Sequence, residues 1–203
     1  MTRVKVCGIT RVDDALLAVE LGAAAIGFVF WPGSPRAIDP ARARVIAAAL
    51  PPLVARIGVF VDQPVDDVRR VADEVELTAV QLHGSESMEY VRAMMQPVIK
   101  AVPVIRAFTP ETVDAFPEEI TVLLDAHDPI RRGGTGQTID WSIAASAAAR
   151  RPVFLSGGLN PANIREAVAQ VKPYGVDLSS GVESAAGIKD PVKLRALFGA
   201  LHG

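Results

Sequence analysis

Three reactive side chains each end a short apolar run: Cys7 in "VKVC", His83 in "VQLH" and Asp125 in "VLLD". A thiol, an imidazole and a carboxyl are groups from which general acids, general bases and nucleophiles are made. Each also has a duller explanation. A lone cysteine is usually a small buried hydrophobe, an aspartate ending a strand often caps a turn, and a single histidine is often only a hydrogen-bonding residue. What raises them above those readings is that strand side chains alternate with period 2. Arg3, Lys5 and Cys7 share one face of their run, Gln81 and His83 another, Leu123 and Asp125 another, Asp177 and Ser179 another. If the runs are strands of one sheet closed on itself, those faces converge on a single space.

Two glycine-bearing stretches suit an anion. "LSGGLNPANI" sets Gly157 and Gly158 between an apolar run and a helix start, and "DLSSGVE" sets Ser179, Ser180 and Gly181 after another run. Backbone N–H groups freed by glycine at helix N-termini carry about half a positive charge per helix end and bind phosphate. A phosphate site is therefore expected at Gly157, Gly158, Ser179 and Ser180. The "GGTG" stretch at 133–136 is glycine-rich too, but nothing in its spacing assigns it a role.

The elements that must hold these residues alternate from end to end. Strand-like runs at 3–7, 24–30, 54–61, 78–83, 97–104, 119–125, 152–157 and 175–181 are separated by helical or loop segments. Helices read clearly at "VDDALLAVELGA", "DPARARVIAAAL", "QPVDDVRRVADEV", "SESMEYVRAMM", "DWSIAASAAAR", "NPANIREAVAQV" and "DPVKLRALFGAL"; "TPETVDAF" is weaker. Asp39–Pro40 and Asn160–Pro161 look like cap pairs, with Ser85 or Ser87 as a third cap. Alternating strands and helices imply a parallel sheet. Eight units in 203 residues predict an α/β fold, a (β/α)8 (TIM) barrel in one domain spanning 1–203, rather than a doubly wound open sheet. In such barrels chemistry sits at the C-terminal ends of the strands, which is where Cys7, His83 and Asp125 fall. Closure would also make the first and last strands neighbours and pair Lys5 with Asp177.

Composition narrows the class. Half of the residues are hydrophobic and the formal net charge is −2, so no basic surface for nucleic acid is expected. One cysteine allows no internal disulfide and no Cys-x-x-Cys zinc pair. No secretory h-region or apolar run of membrane-spanning length is present, so a soluble cytoplasmic protein without membrane partners is expected.

Read in order, "KVCGIT" (5–10), "GFVFWPGSPR" (27–36), "GVFV" (58–61), "VQLHGSE" (80–86), "LLD" (123–125), "GGTGQTIDW" (133–141), "LSGGLNPANI" (155–164) and "GVDLSSGVE…GIKD" (175–190) resemble the phosphoribosylanthranilate isomerase family over essentially the whole chain. The resemblance implies a (β/α)8 barrel and an Amadori rearrangement of N-(5-phosphoribosyl)anthranilate in tryptophan biosynthesis. No metal or organic cofactor is implied, and the partner is a small phosphosugar–anthranilate substrate, with a monomer or homodimer as assembly. It further implies Asp125 as general acid, Cys7 as general base and Arg36 as the anthranilate carboxylate's partner, with His83 lining the site. Asp177 would serve a sugar hydroxyl or Lys5. Both catalytic roles make physical demands. A free thiol with a pKa of about 8.5 is only about a tenth thiolate at about pH 7.5. An aspartate raised by about three units to act as an acid costs about 4 kcal/mol. Two other classes fit the same residues: a Schiff-base aldolase or lyase using Lys5 or Lys100, and a non-catalytic phosphosugar-binding protein. A histidine-pathway sugar-phosphate isomerase is a third, but its family relies on an aspartate pair and strand 1 here ends in cysteine.

Overall fold

The computed structural model describes residues 2–105, 107–125 and 141–202. Eight parallel strands form a closed barrel in sequence order: β1 (Arg3–Cys7), β2 (Ala25–Val29), β3 (Ala55–Phe60), β4 (Ala79–Leu82), β5 (Val98–Pro103), β6 (Thr121–Asp125), β7 (Val153–Ser156) and β8 (Gly175–Leu178). Closure is made by β1 on β8, with Arg3 opposite Gly175 and Lys5 opposite Asp177. The expected barrel is thus observed, and the rival doubly wound open sheet is set aside. Around the barrel run α1 (Val12–Glu20), α2 (Pro40–Ala48), α3 (Val65–Val75), α4 (Met88–Arg92), α5 (Trp141–Ala148), α6 (Ile164–Val171) and α7 (Pro191–His202). Among the described residues no helix is long and apolar enough to cross a membrane.

The alternation of side chains creates two cores. Val4, Val6, Ile26, Phe28, Val80, Leu82, Val122, Leu124, Leu155 and Val176 point outward and pack with the apolar helix faces. The opposite faces fill the barrel with Ile57, Ala79, Ile99, Ala101 and Leu123, and nearer the mouth with Cys7, Val29 and Val59. A parallel sheet covered on both faces gives near-continuous apolar strands, so the polar exceptions stand out. Lys5, Gln81 and Asp177 are buried on inward faces. Lys100 is the outward exception, since it shares its face of β5 with Val98 and Val102.

Several helices differ from the sequence expectation, each for a local reason. Residues 109–116 form a 3-10 turn, Pro110–Ala115, instead of an α-helix. Thr112 and Val113 are β-branched and Pro117 follows closely, which disfavours a longer helix. The Arg151 guanidinium compensates, donating to the carbonyls of Val113, Phe116, Pro117 and Ile120 at 2.6–3.0 Å. Helix α4 stops at Arg92, five residues before Pro97, and its cap is Ser87, whose hydroxyl accepts from the Tyr90 N–H at 3.2 Å. Helix α6 opens at Ile164, because the turn before it is tied by Asn160 and Asn163: Asn160 N–H donates to Asn163 Oδ1 and Ala162 N–H to Asn160 Oδ1. Between β8 and α7 lies a structure not expected from the sequence. A 3-10 turn (Ser180–Val182) leads into a small antiparallel hairpin, β9 (Glu183–Ala185) and β10 (Ile188–Lys189), turned at Gly187 with φ +78°.

Glu86, the last residue of "VQLHGSE", pins the end of β4. Its carboxylate accepts from the Gly84 and Asp62 N–H groups and from Lys100 Nζ at 2.9 Å. Lys100 also donates to the carbonyls of Leu82 and Gly84. Both side chains are nearly inaccessible, at 8% and 1% for Lys100 and Glu86. Removing one partner of such a pair strands the other charge. Lys100→Met is therefore expected to lower stability by about 3 kcal/mol, read as a lower urea midpoint with an unchanged slope.

Candidate active site

The mouth at the strands' C-terminal ends is built on the β1–β8 seam. Lys5 Nζ donates to Asp177 Oδ1 at 2.9 Å, with side chains 1% and 5% accessible. The Cys7 thiol lies two residues up β1 on the same face, within hydrogen-bonding reach of the Lys5 ammonium. Two glycines make room for this stack. A Cβ on Gly27 of β2 would stand 2.9 Å from Cys7 Sγ and 3.1 Å from Lys5 Nζ. Gly8, directly after the thiol, has φ +74°, and a Cβ there would stand 2.6 Å from Arg36 Cδ. The Cys-Gly pair thus ends β1 in a left-handed turn over which the Arg36 side chain lies.

Burial pushes the Cys7 thiol above its ordinary value; Lys5 and Lys189 oppose this and Asp177 reinforces it. Burial would push Lys5 down, but Asp177 and Cys7 outweigh it and hold the ammonium above its ordinary value. Lys5 therefore remains charged, yet most of its field is spent on Asp177. The thiol is therefore protonated at neutral pH.

Across the mouth, Asp125 ends β6 and His83 follows β4. His83 Nε2 lies 3.0 Å from Asp125 Oδ2, and His83 Nδ1 lies 2.9 Å from Gln81 Nε2. His83 and Asp125 are partly accessible, at 31% and 14%, whereas Gln81 is buried. The expected sharing of a face by Gln81 and His83 is thus a direct hydrogen bond.

The loops after β7 and β8 lie against one another. Gly157 and Gly158 adopt φ +96° and +66°, and the Gly158 carbonyl accepts from the side-chain amides of Asn160 and Asn163. A Cβ on Gly181 would fall on the Leu159 carbonyl oxygen, so Ser179, Ser180 and Gly181 close directly upon the Gly157–Gly158 turn. Ser180 and Gly158 are exposed, Ser179 and Gly157 half-buried. Residues 133–136, the other glycine-rich stretch, lie outside the described residues.

A charged network beside this loop pair was not read from the sequence. Arg36 does not project into solvent: its Nε contacts both carboxylate oxygens of Glu183, at 2.9 and 3.1 Å, and its Nη2 donates to Oε2 at 2.7 Å. Glu183 also accepts from Lys189 Nζ at 2.7 Å, and Lys189 donates to the Ser179 carbonyl at 3.3 Å. The Lys189 N–H in turn donates to Asp14 of α1 at 2.9 Å. Arg36 is thus oriented by Glu183 through Nε and Nη2. Glu183 and Lys189 stand inside "GVE…GIKD", and their burial followed only from a hairpin too short to show a period.

Eight parallel strands with a thiol, a carboxyl–imidazole pair and two apposed glycine turns at one mouth define a (β/α)8 barrel arranged for acid–base work on an anionic ligand. A family profile described as N-(5'phosphoribosyl)anthranilate (PRA) isomerase matches residues 4–200. The N-(5'-phosphoribosyl)anthranilate isomerase of Geotalea uraniireducens (strain Rf4) is 48% identical over 203 residues, covering all of both chains. A crystal structure of the phosphoribosyl anthranilate isomerase of Thermus thermophilus matches with a TM-score of 0.89 and 47% identity over 98% of each chain. Another, described as the isomerase in complex with reduced 1-(o-carboxyphenylamino)-1-deoxyribulose 5-phosphate, gives 0.85 and 43%, again over 98% of each chain. The chain belongs to the N-(5'-phosphoribosyl)anthranilate isomerase family.

Burial would raise the Glu183 carboxyl, but Arg36 and Lys189 outweigh it and hold it below its ordinary value. A group depressed on folding stabilises the native state above its unfolded pKa, and that stabilisation is lost as pH falls through the folded pKa. Glu183→Gln should therefore cost about 3 kcal/mol near pH 7. The gap to the parent protein should narrow on acidification below the ordinary carboxylate value of 4.5, as measured by urea unfolding across that range.

Proposed function

We propose that this protein converts N-(5'-phosphoribosyl)anthranilate into 1-(2-carboxyphenylamino)-1-deoxyribulose 5-phosphate, an isomerisation in tryptophan biosynthesis, with Asp125 as general acid and Cys7 as general base. The observation that carries the assignment is barrel closure, which brings the ends of β1 and β6 to one mouth. Family membership supports the substrate.

The phosphate binds the turns at Gly157–Gly158 and Ser179–Ser180, where freed N–H groups meet the anion. Arg36, braced by Glu183, presents Nη1 to the anthranilate carboxylate. Asp125 protonates the furanose ring oxygen as the C1–O bond breaks, with the bond electrons going to oxygen and the anilino nitrogen forming an iminium cation. Cys7 then takes the C2 proton, and those C–H electrons neutralise the iminium to give an enamine. Tautomerisation of the C2 enol to the ketone, with a proton delivered to C1, completes the product.

The raised thiol fits this order of events. Lys5 is neutralised by Asp177 at 2.9 Å, so it is the field of the iminium that stabilises Cys7 as a thiolate, the thiol proton passing to solvent. The base becomes competent only once its target has been activated. Asp177, held by Lys5, presents its remaining oxygen to a sugar hydroxyl. The Schiff-base reading draws no support from either lysine: Lys5 is paired in the barrel, and Lys100 is bound to Glu86 and two carbonyls on the outer face of β5.

The test is turnover of authentic substrate followed by the loss of its anthranilate fluorescence. Cys7→Ser and Asp125→Asn should each lower kcat by about a thousandfold, while the affinity for a reduced, unreactive product analogue changes less than about threefold. Undiminished turnover by either variant would remove that residue from its role. Absence of turnover in the parent protein would favour a phosphosugar-binding function.

A further inference from the structure

Gln81 is 1% accessible, sits on the inward face of β4, and makes one hydrogen bond among the described residues that bears on the mouth: its amide Nε2 faces His83 Nδ1 at 2.9 Å. Its other amide atom, Oε1, is buried without a partner among the described residues. The two ends of a glutamine amide are nearly the same size, so the surrounding space does not choose between them. In this structure it is the NH2 end that faces the ring. With NH2 directed at it, Nδ1 must be the bare, accepting nitrogen, and in a neutral imidazole the proton then lies on Nε2. That proton faces Asp125 Oδ2 at 3.0 Å.

From this geometry, and resting on the reading of Asp125 as the acid, we infer that Gln81 is a positioning residue for the proton transfer: it fixes the Nε2–H tautomer of His83 and so directs the transferable proton of Asp125 to Oδ1. Oδ2 is engaged as an acceptor from His83 in both protonation states of the carboxyl, so the acid can carry its proton only on Oδ1. When Oδ1–H passes its proton to the furanose oxygen, the carboxylate left behind keeps the Nε2–H bond, and His83 neither gains nor loses a proton. The reversed amide gives the opposite outcome. Oε1 toward the ring requires Nδ1–H, a bare Nε2 then faces Oδ2, and the acid proton is drawn to Oδ2, against the ring and away from the substrate.

Nitrogen-15 spectra of histidine-labelled, substrate-free protein test this directly, with the His83 signals assigned by their loss in His83→Asn. The parent protein should show Nε2 protonated and Nδ1 bare. Gln81→Met, which keeps the volume and removes the donor, should give a mixture of the two tautomers and lower kcat about tenfold with KM changed less than about twofold. A parent spectrum dominated by Nδ1–H overturns the inference, and it does so even if the Met variant fails to fold. A Met variant with shifted tautomers and an unchanged kcat overturns it as well. Undiminished turnover by Asp125→Asn is a different failure, since it removes the acid itself while leaving the tautomer result to stand.

Discussion

The Lys5–Asp177 pair is the interaction on which the mouth depends, because it sits on the seam where the sheet closes. Strands β1 and β8 are separated by the whole chain, and their register sets these two residues directly opposite one another. An ammonium in the barrel interior is tolerable only with a counter-charge at hydrogen-bonding distance, so the pair disfavours any slip of β1 against β8. The same pair sets the electrostatics beneath the thiol. Burial raises the thiol, Lys5 opposes that and Asp177 reinforces it, so a compensated lysine leaves the thiol above its ordinary value. One contact thus serves both the closure of the barrel and the electrostatics of its thiol.

Space around that pair is defined by absent side chains as much as by those present. Gly27 leaves the volume occupied by Cys7 Sγ and Lys5 Nζ, and Gly8 leaves that occupied by the Arg36 stem. This also explains why the only cysteine is followed by glycine: the strand must end in a positive-φ turn low enough for Arg36 to cross it. Arg36 is then held by Glu183, which Lys189 in turn neutralises in part. The guanidinium is therefore held in one orientation, with side-chain freedom already given up in the fold.

Much of this was legible in the sequence because period-2 alternation survives closure. Polar residues breaking apolar runs with inward parity, Lys5, Gln81, His83, Asp125 and Asp177, were placed on their faces from spacing alone, and the Lys5–Asp177 neighbourhood followed from closing eight strands. Cap chemistry found Asp39 and Ser87 for the same local reason. What escaped was whatever depends on contacts between distant segments without a period of their own. The hairpin of Glu183–Ala185 and Ile188–Lys189 is too short to show alternation. The binding of Arg36 to Glu183 joins residues 147 positions apart, and a glycine such as Gly27 does not announce which side chain its missing Cβ admits. Likewise the 3-10 turn at 110–115 depends on carbonyls that Arg151 caps from another part of the chain.

The network around Glu183 also bears on when the protein becomes itself. Asp14 in the first helix and Arg36 after the second strand receive their partners, Lys189 and Glu183, from the last tenth of the polypeptide. During synthesis, with the N-terminal part emerging first, the early strands leave the ribosome with the mouth's arginine undirected and its cysteine strand still lacking one neighbour. Strand β8 fills the place beside β1, and the hairpin that follows it supplies the partners of Asp14 and Arg36. A chain lacking these segments therefore retains an unfinished edge at β1 and an Arg36 without its carboxylate brace.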